Sequence, residues 1–123
     1  MRIQPDGADL LGIVDQLLRD EIMPLLPAEK VYEIRMALNA MGIARRQLEI
    51  GDELENVEAE TLQVVVEEPA RSEGDTLAHR FARMVRAGQA DDDEGLQTLL
   101  WAQTVNRVRE SAPRYLRQEG MDY

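Results

Sequence analysis

From Pro27 to Gly51 (PAEKVYEIRMALNAMGIARRQLEIG) apolar residues recur at three- and four-residue steps on two opposed sides of a helical wheel. Val31, Ile34, Leu38, Met41 and Leu48 form one side; Met36, Ala40, Ile43 and Ile50 form the other, with Ala37 and Ala44 leaving a slim third side. A helix apolar on both sides needs at least two partners, so the spacing predicts a central helix over roughly residues 28–50. Pro27 and Glu29 suit its first turn, and Gly51 is the natural stop, because glycine adopts the left-handed conformation at little cost.

The same periodicity predicts four further helices. Leu10, Leu11, Val14, Leu17, Leu18, Ile22 and Leu25 line one face of residues 5–26, with Asp6 or Asp9 placed to cap free amides. Pro24 and Pro27 each remove an amide donor and turn the predecessor away from helix, so MPLLP reads as a sharp corner. Residues 52–67 carry Leu54, Val57, Thr61 and Val65 on one side and acids on the other, and the valines at 64–66 weaken its end. EPARSEGD, residues 68–75, is the one loop-like cluster and the expected mobile segment. A fourth helix over about 75–87 turns Leu77, Phe81, Met84 and Val85 inward, with Arg80, Arg83 and Arg86 outside; Gly88 stops it. A fifth, over roughly 93–111, places Leu96, Leu99 and Leu100 on one face and Trp101, Val105, Val108 and Ala112 on another. Pro113 ends it, leaving a tail whose Tyr115 and Leu116 are placed to dock back. There is no internal repeat.

At 123 residues, 44% hydrophobic but only 4% aromatic, the chain fits one domain spanning residues 1–123 with an aliphatic core. The expected fold is therefore all-α, a single compact bundle of about five helices. The net charge of -10 repels phosphate backbones and anionic lipid, so neither nucleic acid nor a membrane surface is an expected partner. Cysteine is absent, and no window approaches the roughly 20 apolar residues of a membrane span. A soluble cytoplasmic protein is the expectation.

One polar stripe bears on function. Arg35, Asn39, Gly42 and Arg46 fall at offsets of four, three and four residues, flanked by the two apolar faces of the central helix. Buried arginine and asparagine need partners. Those partners are either internal groups such as Glu21, Gln103 and Asn106, fixing helix register, or the phosphate or carboxylate of a small anionic ligand held by Arg35, Asn39, Arg46 and Arg114. Arg45 points toward the first apolar face, as a side chain that snorkels near a helix end or as one arm of a salt bridge between subunits.

Catalytic and metal signatures are missing. His79, the single histidine, lies off the Leu77, Phe81, Met84 face and reads as a solvated side chain; Asp75, four residues before it, makes two ligands at most. Asp91–Glu94 lacks calcium-loop spacing and reads as helix capping. With no phosphate loop, nucleophile elbow or Cys-His set, the expectation is no catalytic residue, no metal and no cofactor. The surplus of apolar helix face instead points to a non-enzymatic interaction domain, either a homodimer or a subunit that joins a partner protein. If both two-sided helices are central in a five-helix core, that surplus disappears.

Three blocks together, PDGADLLGIVDQLLRDEIMPLLP, RMALNAMGIARRQLEIG and NRVRESAPRYL, resemble a bacterial family of small all-helical domains of unknown function. The resemblance rests on Pro24 and Pro27, on Arg35, Asn39, Arg46 and Gly51, and on Pro113, Arg114 and Tyr115. Members are often encoded beside aminoglycoside-phosphotransferase-like kinases and acyl-CoA dehydrogenases, which implies a role as accessory subunit of a phosphotransferase-like partner. Gln47, standing where that family has an acid, and the acidic run at 91–94 depart from the pattern.

Overall fold

The computed structural model describes residues 3–121, and no strand occurs among them. The chain is all-α, with five helices of seven or more residues as the periodicity predicts: α1 (Gly7–Leu17), α2 (Val31–Ile50), α3 (Glu53–Val65), α4 (Leu77–Arg86) and α5 (Glu94–Ser111). A short α6 (Pro113–Gln118) follows. The chain divides into two compact units, Met1–Gly51 and Asp52–Tyr123.

In the N-terminal unit, Asp6 and Asp9 close a reciprocal capping box at the start of α1: the Asp9 amide donates to Asp6 Oδ1 at 2.9 Å and the Asp6 amide to Asp9 Oδ2 at 3.1 Å. The α-helix ends earlier than its apolar pattern, at Leu17, and the chain widens into a π-helical turn over Leu18–Ile22 in which the Met23 amide reaches the Leu18 carbonyl. Pro24 explains this. Its ring clashes with a carbonyl one turn back and it brings no amide to donate, and a wider turn relieves both. Short 3-10 turns at Met23–Leu25 and Ala28–Lys30 flank extended Leu26 and Pro27, the expected corner.

α2 then runs back against α1. A Cβ at Gly7 would stand 3.3 Å from Leu48 Cδ1, and one at Gly12 would stand 3.1 Å from the Arg45 guanidinium, so the start of α1 meets the end of α2 and the pair is antiparallel. Gly51, at φ 72°, ends α2 with its amide on the Gln47 carbonyl. Leu38 is the one buried residue of this unit among those described.

In the C-terminal unit, α3, α4 and α5 enclose a core of Leu62, Phe81, Met84, Ala90 and Leu96, with Val65, Val85 and Leu100 packed around it. α3 stops at Val65, and Val66 is extended, where the β-branched run begins to disfavour helix. Thr76 caps α4 by accepting from the His79 amide at 3.2 Å. Asp93 caps α5, accepting from the Leu96 amide at 3.1 Å, and Gly88 takes φ 82° after α4.

Three details differ from the periodicity. Trp101 is 60% exposed; the buried residues of α5 are Leu96 and Gln103 on one face and Val105 on the opposite one, so a polar side chain takes a core position. Pro113 does end α5, but the chain does not trail off there. Proline's fixed φ suits a first helical position and it opens α6. Leu116 is buried, as expected of a docking side chain, whereas Tyr115 is exposed.

Candidate functional site

The N-terminal unit presents an apolar surface on α1. Leu10, Ile13, Val14 and Leu17 follow one another at three, one and three residues, the seam spacing of a helix built to pack against another. They are nevertheless 51%, 56%, 41% and 52% exposed, and no residue of α1 is buried. α2 is likewise half covered: Val31, Ile34, Met41, Ile43 and Ile50 are half-buried, while Met36 and Leu48 are exposed. Its two apolar faces are real, but only Leu38 is sealed.

The polar stripe is split in its surroundings. Arg35 and Asn39 are exposed on α2, and Arg46 is half-buried, with its guanidinium lying over Gly42. Arg114 is exposed on α6, in the other unit. Three of the four therefore share one helix face, and that face is not enclosed at Arg35 and Asn39. The side chain of Gln103, a candidate partner for the stripe, makes no hydrogen bond among the described residues. Arg45 does snorkel. Its guanidinium crosses α1 where Gly12 leaves room, and its Nε donates to Glu49 Oε1 at 2.9 Å.

A second polar constellation lies in the C-terminal unit, and the sequence reading placed its parts differently. Arg83 was expected outside, yet it is half-buried because the 66–76 loop folds back and supplies acids. Its two Nη atoms donate to the two Asp75 oxygens at 2.7 Å each, and its Nε donates to Glu68 Oε2 at 3.1 Å. Arg71 adds a backbone amide to Asp75 at 2.9 Å, and Arg80 donates to the Glu68 carbonyl at 3.2 Å. The segment expected to be mobile is thus tied at both ends to α4.

The electrostatic result follows from the donors. The Asp75 side chain is 6% exposed, and the hydrogen bonds from Arg83, with that from the Arg71 amide, hold its carboxyl far below the ordinary carboxylate range. The same bonds push the Arg83 guanidinium above its ordinary value, against the opposing effect of desolvation. A carboxylate so firmly ionised is a poor proton acceptor, and its charge is spent on Arg83. Arg71, Ser72, His79 and Arg86 complete an open cavity of about 360 Å³ beside this pair. His79 is exposed, and both oxygens of the Asp75 carboxylate accept from Arg83. The one trace of this network in the sequence is Asp75, His79 and Arg83 at four-residue intervals. Glu68 left none, since it reaches Arg83 only through the course of the loop.

Among the described residues no group of three or more His, Asp or Glu side chains is arranged to hold a metal ion, and no helix is long and apolar enough to cross a membrane. No curated protein and no solved structure matches the chain. Residues 24–115, from the proline corner through α6's first turn, match the model of a domain of unknown function, DUF6285, and the chain belongs to that family.

Proposed function

We propose that the chain is a non-enzymatic association domain that pairs with a second copy of itself through the α1–α2 hairpin. The observation that carries this reading is the exposure of Leu10, Ile13, Val14 and Leu17 on a helix with no buried residue. Four large side chains at seam spacing form a contiguous apolar strip, and such strips mark contact surfaces more often than scattered single residues do. Charge favours self-pairing on this unit. Residues 1–51 hold eight carboxylates against six cations, whereas residues 52–123 hold sixteen against eight, so two hairpins approach with little mutual repulsion. An apolar strip is also self-complementary across a two-fold axis. Arg35 and Asn39, exposed on the adjoining helix, suit the polar rim of such a contact. A bacterial setting beside a phosphotransferase-like protein would make that protein the competing occupant of the strip.

The test is mass in solution by light scattering over a hundredfold concentration range, alone and after mixing with a phosphotransferase-like protein encoded next to it. Twice the 14.0 kDa chain mass is expected, reverting to 14.0 kDa in an Ile13→Glu, Leu17→Glu variant whose far-ultraviolet dichroism remains helical. A monomer at every concentration that also ignores its neighbour overturns association altogether. A mixed complex without self-association overturns the choice of occupant.

A further inference from the structure

His79, Arg83 and Arg86 follow one another at four and three residues, so they share the face of α4 from which Arg83 reaches the 66–76 loop. With Arg71, Ser72, Gly74 and Asp75 of the loop they line the cavity of about 360 Å³. The acids beside this cavity are already engaged. Both Asp75 oxygens accept from Arg83 at 2.7 Å, and Glu68, behind the wall, accepts from Arg83 Nε at 3.1 Å. The other cations are not. The side chains of Arg86 and His79 have no hydrogen bond or ion pair among the described residues, and Arg71 comes no closer than 4.0 Å to Glu68. Glu67 and Glu73, the remaining acids of the segment, are exposed and stand off the wall.

This gathering of cations runs against the charge of its surroundings. Residues 52–123 hold sixteen carboxylates and eight arginines, yet around this cavity Arg71, Arg80, Arg83 and Arg86 face only Glu68 and Asp75, with Arg80 held on the Glu68 carbonyl at 3.2 Å. Like charges brought together repel unless something neutralises them. We infer that the cavity binds the phosphate group of a small phosphomonoester, gripped by Arg71, Arg86 and His79 with the Ser72 hydroxyl as a further donor. Two positive charges in excess match a phosphate dianion, about −1.5 to −2 at neutral pH, whereas a monocarboxylate would leave one of them unanswered. The planar fork of a guanidinium fits phosphate oxygens in pairs. Arg83 and Arg80 tie the loop to α4 before any ligand arrives, so little ordering opposes binding. The volume sits at the small end of ligand cavities, roughly 300–1,000 Å³, which suits an ester of few carbons. The site lies within the C-terminal unit, so the inference is independent of the pairing proposed for α1.

Glycerol 3-phosphate is the probe, titrated into the full chain at low ionic strength and followed by backbone amide resonances, with inorganic phosphate and acetate as comparators. Saturable shifts centred on residues 71–86 are expected, with inorganic phosphate displacing the probe and acetate binding more weakly. Arg86→Gln is expected to weaken the probe about tenfold, the worth of one hydrogen bond to a charged group at an exposed site. It is expected to leave the melting temperature unchanged, because the exposed Arg86 side chain has no partner to lose. Arg71→Gln gives a second variant expected to weaken the probe. Arg35→Gln and Arg114→Gln, at exposed arginines that do not line the cavity, are expected to bind as the parent does. Shifts centred on α2 or α6, equal binding by Arg86→Gln and the parent, equal losses in all four variants, or acetate that matches phosphate overturn the site. A lower melting temperature in Arg86→Gln overturns the premise that this arginine lacks a partner.

Discussion

Leu38→Ala strikes the N-terminal unit at its single sealed position among the described residues. Leu38 is 1% exposed, so nearly all its side-chain surface has left water, and full burial of a leucine stabilises by about 1.5–3 kcal/mol. Truncation adds a cavity term, since neighbours relax only partly, which puts the expected loss at about 3–5 kcal/mol. A unit of this size rests on a comparably small margin, because a single core below about 70–80 residues rarely supplies more than about 3–5 kcal/mol. The substitution should therefore open the hairpin and not merely loosen it. Hydrogen exchange resolved by residue is the assay. Amides of α1 and α2 are expected to lose their protection, while those around Leu62, Phe81, Met84 and Leu96 keep theirs, since that core is built from residues of the C-terminal unit. The variant should also lose the proposed self-association, because the strip on α1 no longer has a hairpin to display it. Unchanged protection in α1 and α2 would refute the premise that one leucine anchors the unit.

Asp75→Asn tests the loop clamp through pH. The Asp75 carboxyl titrates lower in the folded chain than its ordinary 3.8, so its contribution is complete above about pH 4 and is lost as pH falls below that value. Melting temperatures taken from pH 6 to pH 2 should therefore fall less steeply at the acid end in Asp75→Asn than in the parent; parallel curves would count against the clamp. Thr76→Ala removes the hydroxyl that receives the His79 amide and should cost about 1 kcal/mol, read from urea denaturation. Gly88→Ala forces a Cβ onto a residue at φ 82°, 3.2 Å from Asp91 Oδ2, and should cost about 1–2 kcal/mol by the same measurement. A neutral result there would mean that the turn after α4 re-forms without the left-handed residue.

Helix identity was legible because each helix carries its own period and its own punctuation. Gly51 and Gly88 stop helices where a positive φ is needed, Pro24 and Pro27 force a corner, and Asp93 caps α5 from within the acidic run. What failed to show depends on contacts that sequence spacing does not encode. Glu68 and Asp75 reach Arg83 across fifteen and eight residues through the path of a loop, so arginines that look like a solvated face become half-buried. Gln103 sits in a covered position because it shares its face of α5 with Leu96, two turns before it, and a polar residue there is invisible to a pattern that counts only hydrophobes. Trp101 is the converse, a large side chain on the same face as buried Val105 that is nevertheless exposed, because that face is covered at one turn of α5 and not at the other. The stripe of Arg35, Asn39 and Arg46 was legible as one helix face; its exposure at Arg35 and Asn39 was not, because that depends on which faces of α2 are covered.

The two-sided pattern of α2 poses a physical problem that the hairpin only half solves. One antiparallel neighbour can cover one stripe only; the residues left at half exposure, Ile43 and Ile50, together with exposed Met36 and Leu48, remain apolar surface in contact with water. α1 repeats the problem in sharper form, because its seam residues sit at full helical register with no seam partner. Apolar side chains at those positions give the isolated chain little stability, and polar ones would cost it little, so their presence is better accounted for by a surface that is covered when the protein is at work. The pairing proposed above would supply cover of matching length, period and near-neutral charge, which no anionic small ligand can do for four leucine- and valine-sized side chains along α1.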